Sequence, residues 1–210
     1  MRETLQLSGI PARLALALTT LAIVTVGTQA APRPLIVSAY STTLPANCWI
    51  DGPGRVEDSP IRVCRGRSTL VVLVNRGDQR ETVSIGHNRD EAAKEPAAQA
   101  SFGPFNTALA AIEWRMASNN PFAVIQRWRI GGSANQTTGG GPDPQPLLVV
   151  SRLPPGAVCP VAYVDAAANP NADELARQAA DEIARDFKCG KDQAKVLGVS
   201  GRAAELATPR

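Results

Sequence analysis

The chain holds one imidazole, His87, so any histidine-dependent proton transfer near neutral pH must pass through it. It stands in Gly86-His87-Asn88-Arg89-Asp90, where a β-like run gives way to a loop, a place from which side chains reach substrates. Two readings follow. One is a surface or turn histidine; the other is the acid–base group of a small periplasmic hydrolase or transferase, with carboxylates brought near by the fold. A Gly-x-Ser-x-Gly nucleophile elbow is missing, and Gly198-Val199-Ser200-Gly201 matches only half of one. Asp51, Glu113 and Asp165 are acids from which a glycoside-hydrolysis pair can be drawn, but spacing along a sequence does not give separation in space. No residue is assigned a catalytic role on this basis; His87 is the candidate.

Arginine offers different chemistry. Of the 22 basic residues 18 are Arg, whose planar fork suits bidentate pairing with carboxylate or phosphate. Arg127-Trp128-Arg129 lies in a β-like run, where alternation puts both Arg side chains on one face and Trp128 on the other. A hairpin with the preceding strand adds Glu113 and Arg115 to that face. The functional reading is a binding face for an acidic protein or an anionic envelope component. The plain reading is a solvated face on which Glu113 neutralises one Arg across the strands. Arg62, Arg65 and Arg67 form a second cluster around Cys64, offset by Glu57 and Asp58 and without interleaved aromatic residues, so nucleic acid is not expected. The Gly-rich run at 139–141 lacks the Gly-Lys-Ser/Thr ending of a phosphate loop. One His, two Met and four scattered Cys give no metal constellation, and no cofactor is expected.

The elements that must position these residues begin with an address. Arg2 and Arg13 precede thirteen residues, Leu14 to Val26, free of charge, Gly and Pro, which is short of the ~20 needed to span a bilayer. Gly27 follows, and Thr28-Gln29-Ala30 places small residues at the −3 and −1 positions of a cleavage site after Ala30. Residues 1–30 are therefore read as a signal peptide, with the remainder periplasmic or secreted and without a membrane span. Removing Arg2, Glu3 and Arg13 leaves 20 basic against 18 acidic residues, too even a balance to attract nucleic acid in general.

Export favours disulfides, and four Cys permit three connectivities. Proximity in sequence favours Cys48–Cys64 and Cys159–Cys189, each closing a loop worth ~3 kcal/mol by chain entropy.

Leu35–Ser41 reads as a first strand, and Ser68–Asn75 with Glu81–Gly86 as a hairpin. Residues 87–106 read as a long loop with one helical turn. Residues 107–116 are open between helix and strand, with a hairpin of Ile112–Met116 and Phe122–Ile130 preferred. Residues 131–146 read as a flexible low-complexity loop. Leu147–Leu153 and Cys159–Asp165 are two more strands. A helix then starts at Asn171-Ala172-Asp173-Glu174, a capping-box pattern, and ends near Gly190. Its apolar stripe is Leu175, Ala179, Ile183 and Phe187, with Asp173–Arg177 and Asp181–Arg185 as i,i+4 pairs on a wet face.

The strings Ser101-Phe102-Gly103-Pro104-Phe105-Asn106, Ile112-Glu113-Trp114-Arg115, Phe122-Ala123-Val124-Ile125, Leu148-Val149-Val150, Cys159 to Ala166 and Asn169 to Ala172 resemble uncharacterised exported proteins of alphaproteobacteria. The resemblance spans about residues 60–190 and implies a periplasmic address without supplying chemistry.

The expected architecture is α+β: an antiparallel sheet of six to seven strands, one amphipathic C-terminal helix packed on it, and two disulfides. Residues 31–197 form a single domain and 198–210 a mobile tail. The expected role is a non-enzymatic binding module of the cell envelope.

Overall fold

The computed structural model describes residues 34–207 except 52, 78–79, 104 and 132–143. The signal segment and most of the 131–146 loop lie outside the described residues.

The fold is α+β, and the described residues build two sheets instead of one. The large sheet contains β1 (Ile36–Thr42), β6 (Asn106–Ala117), β7 (Asn120–Ile130), β8 (Gln145–Arg152), β9 (Pro160–Asp165) and β10 (Lys195–Val196), hydrogen-bonded in that order. Every pairing is antiparallel except the short β9–β10 pair. The small sheet contains β2 (Cys48–Trp49), β3 (Ile61–Arg65), β4 (Val71–Gly77) and β5 (Arg80–Gly86). The expectation of a single sheet fails for a physical reason. Alternation marks which side chains share a face, but not whether two strands join edge to edge or stack face to face.

The stacking explains the apolar run in β4. Val72 and Val74 face the large sheet and pack with Ile112, Trp114, Met116 and Val124. Leu73 faces outward and packs with Ala92 of α1 (Arg89–Lys94). A strand buried on both faces needs apolar residues at every position, not every second one.

Among the described residues there are three α-helices, where a single one is expected from the sequence. α2 (Ala172–Ile183) lies on the other face of the large sheet, with Ala172, Ala176, Ala179 and Ala180 buried against Ala123, Ile125, Leu148, Val150 and Val164. It ends at Ile183, short of Gly190, and Asn171 makes no side-chain cap. Residues 198–207, read as part of a tail, include α3 (Arg202–Ala207), whose Ala203, Ala204 and Ala207 are buried against Phe102, Trp128 and Tyr163. Residues 107–116 are strand throughout, with the register of β6 on β7 shifting between Ala108 and Ile112.

Both bridges form as expected: Cys48–Cys64 between paired strands β2 and β3, and Cys159–Cys189 between the start of β9 and the segment after α2. No helix among the described residues is long and apolar enough to cross a membrane.

Candidate functional site

Pairing in the β6–β7 hairpin sets Glu113 opposite Ile125 and Arg115 opposite Ala123, so the expected charged face exists. It is not solvated, because α2 covers it. Arg115 donates from Nε and Nη2 to the two carboxylate oxygens of Asp181 at 2.9 and 2.6 Å. Arg177 donates from Nε and Nη2 to Glu113 at 2.7 and 3.2 Å. Arg127 Nη2 reaches Asp173 Oδ1 at 2.8 Å, and the Arg185 guanidinium lies 4.0 Å above the Phe122 ring. Ser38 of β1 links two of the pairs, donating to Glu113 Oε1 and accepting from Arg115 Nη1, both at 2.5 Å.

The helix charges read as i,i+4 pairs on a wet face thus cross to the sheet instead. Fixed, oppositely charged partners there hold them better than exposed neighbours along the helix could. Burial pushes the Glu113 carboxyl up, but hydrogen bonds from Arg177 and Ser38 and the charges of Arg177 and Arg115 outweigh it and hold it below its ordinary value. Of the four residues on the expected binding face, Glu113, Arg115 and Arg127 are engaged with α2, and Arg129 alone is exposed.

His87 sits elsewhere, exposed just past the end of β5. Its Nδ1 is 3.1 Å from Thr69 Oγ1, and its backbone N–H donates to Glu91 Oε2 at 3.2 Å. The ring lines a groove of about 540 Å³, with Thr69, Ser68 and Asn120 as further polar residues and Leu70, Pro121, Phe122 and Pro155 as apolar walls. Among the described residues the ring's hydrogen-bond partner is Thr69, and no carboxylate orients it.

Three segments hold the groove. The turn before β4 closes through Gly66 N–H to Leu70 O at 3.1 Å. A Cβ at Gly66 would meet that oxygen at 2.7 Å and the Trp114 ring at 2.8 Å, so only glycine fits there. The β6–β7 turn has Ser118 and Asn119 both at positive φ, the conformation of a tight two-residue hairpin, and Asn119 O accepts from Ser68 Oγ at 3.3 Å. The β8–β9 loop is held by Arg152, which is buried and donates to Ala184 O, Ala157 O and Pro155 O at 3.2, 2.6 and 2.6 Å. A disulfide stands at the base of the first and third segments, Cys64 two residues before Gly66 and Cys159 three after Gly156.

The remaining acids are engaged individually. Asp51 pairs with Arg89 at 2.8 Å. Asp165, 1% exposed, accepts backbone N–H groups from Ala167, Ala168, Ala203 and Ala204, which ties the start of α3 to the end of β9. In the second basic cluster Arg67 donates to Tyr40 O, while burial and then neighbouring Arg76 lower the Arg62 pKa. Among the described residues no group of three or more His, Cys, Asp or Glu is arranged to hold a metal.

Sequence reasoning placed His87 at a loop start but missed its partners. Thr69 is 18 residues away, within the run Ser68–Asn75 that reads as a strand, and Asn120, Pro121 and Pro155 fall in the gaps between runs that read as strands. No periodic signal marks residues that meet only because two sheets stack. The chain matches none of the protein-family models, curated proteins or solved structures with which it was compared.

Proposed function

We propose that this is an exported domain of the cell envelope that acts by binding, with the His87 groove as its ligand seat. The observation that carries the reading is the groove itself, a concave surface with apolar walls and a hydrogen-bonding pair at its rim, His87 and Thr69, held between two disulfide-anchored segments. Such a seat suits a small ligand or chain end with an apolar body and one or two polar groups, and anchoring reduces the ordering cost of binding. Both bridges are of the kind that persist in an oxidising compartment, and the resemblance to exported alphaproteobacterial proteins points to the periplasm.

A ligand screen by amide NMR tests this. Hits should shift the resonances of Leu70, His87 and Asn120 and weaken in His87→Ala. Hits that cluster elsewhere, or none from a library rich in amphipathic small molecules and peptides, would remove the reading.

The 3.1 Å contact between His87 Nδ1 and Thr69 Oγ1 favours a second reading, a small hydrolase in which His87 takes the proton of the Thr69 hydroxyl. A binding module lacks turnover. Ester or amide cleavage lost in both His87→Ala and Thr69→Ala would decide for the enzyme.

A further inference from the structure

We infer that β1 is the contact surface for a second copy of this chain, pairing antiparallel about a two-fold axis at Val37. β1 is the outer strand of the large sheet, bonded to β6 on one side. Thr43 N–H donates to Ala110 O at 2.9 Å. By antiparallel alternation, Val37, Ala39 and Ser41 also direct their backbone groups to β6, while Ile36, Ser38, Tyr40 and Thr42 direct theirs outward.

The outward groups are treated unequally. Asn47 Nδ2 covers Thr42 O at 2.6 Å, and Arg67 Nη2 covers Tyr40 O. Among the described residues nothing covers the N–H and C=O of Ile36 and Ser38. An outer strand left open in this way is a template for another strand, and proteins normally blunt it. Here the carbonyls of Tyr40 and Thr42 are capped, and among the described residues those of Ile36 and Ser38 are not.

The open half is complementary to itself. With Val37 opposite its own copy, Ile36 of each chain faces Ser38 of the other. The N–H and C=O of Ile36 and Ser38 in each copy are then all used, in four hydrogen bonds across the axis. The next position outward sets Pro34 against Tyr40. Proline has no N–H to donate, and the Tyr40 carbonyl it would meet is the one Arg67 already occupies. The two blunting devices therefore match this register and leave no acceptor stranded. An axis at Ser38 would instead face Tyr40 O with Ile36 N–H and require Arg67 to leave.

The side chains agree. Val37, 47% exposed, would meet its copy at a close, non-hydrogen-bonded position, and Leu35, 80% exposed, would lie against Ala39 of the other chain. No charged residue lies between Pro34 and Thr42 to oppose the pairing. An isologous contact of this kind closes as a dimer and does not propagate.

Sedimentation equilibrium over a wide concentration range, on protein purified from an oxidising compartment, tests the inference. The wild type should form a reversible dimer, and Val37→Lys should weaken it ~tenfold or more by placing two ammonium groups at the axis. The N–H and C=O of residue 37 still bond β6, so this variant keeps the fold. Val37→Cys should cross-link to its copy under mild oxidation much faster than Val199→Cys, a control cysteine at a site 63% exposed. A wild type monomeric at every concentration, a dimer indifferent to Val37→Lys, or equal cross-linking at 37 and 199 would each overturn it.

Discussion

Arg115 of β6 grips Asp181 of α2 through two parallel hydrogen bonds, while its third nitrogen holds Ser38 of β1. One guanidinium thus ties a helix to two strands. Its side chain is 10% exposed, so removing it would leave Asp181 and Ser38 facing a gap that water fills poorly. Arg115→Ala should cost about 3 kcal/mol in urea unfolding. Arg115→Lys should recover less than half of that, because an ammonium cannot bond both carboxylate oxygens and Ser38 at once.

The neighbouring pair gives a pH dependence. The folded state holds the Glu113 carboxyl below its ordinary value of 4.5. Its contribution to stability is therefore complete above that value and is lost as pH falls through the lower, folded value. Chemical unfolding of wild type and Glu113→Gln at a series of pH values should show a gap that is constant near neutrality and closes in acid. A gap that widened in acid would reverse the assigned direction.

Asp165 makes a claim about the last described residues. Its carboxylate accepts the Ala203 N–H at 2.8 Å while also holding the turn after β9. In Asp165→Ala, α3 should release from Phe102, Trp128 and Tyr163. Amides of 203–207 should then exchange with solvent far faster than in wild type, at a stability cost of about 2–3 kcal/mol. Unchanged exchange would show that the apolar contact alone holds the helix.

Cys159–Cys189 closes a loop with a sequence separation of 30. Replacing both residues by Ser should lower stability by ~3 kcal/mol on chain-entropy grounds. Because the bridge also anchors the β8–β9 loop, the same variant should loosen the Pro155 wall of the His87 groove and weaken any ligand found there. A purely thermodynamic effect would leave affinity unchanged in the folded fraction.

His87 is exposed, and among the described residues its ring bonds Thr69 alone. His87→Ala should therefore change stability by no more than ~0.5 kcal/mol, so any loss of binding or turnover in that variant reports on the groove and not on folding. A thermal melt beside each functional assay checks this.

Much of the strand content was legible because it rests on local pattern. The β4–β5 and β6–β7 hairpins, β8, β9 and the stripe of α2 follow from alternation, turn residues and a 3.6-residue period. Helix starts were less so. The pattern Asn-x-x-Glu occurs twice; at Asn171 it makes no side-chain cap, whereas at Asn88 the side chain accepts from Glu91 N–H at 2.9 Å and starts α1. The two strings look alike, so the pattern alone does not tell which of them caps. The charged face was legible as a face, since period two is a property of the strand. What covers it was not, because the partners on α2 lie 46 to 66 residues further on and its acids pair equally well along the helix. The groove was the least legible part, since its walls come from separate turns that meet only once the sheets have stacked.

The charges between α2 and the sheet have one more consequence. Along the helix and the turn that follows it, Asp173, Arg177, Asp181 and Arg185 alternate in sign at a spacing of one helical turn, and the sheet answers with Arg127, Glu113, Arg115 and the Phe122 ring. Were α2 to slide by one turn, Arg177 would face Arg127, Asp181 would face Glu113 and Arg185 would face Arg115. Each attraction would become a repulsion at once. The alanines beneath are too alike to distinguish one turn from the next, so the alternating signs act as a parity check that admits the correct seating and rejects its nearest error.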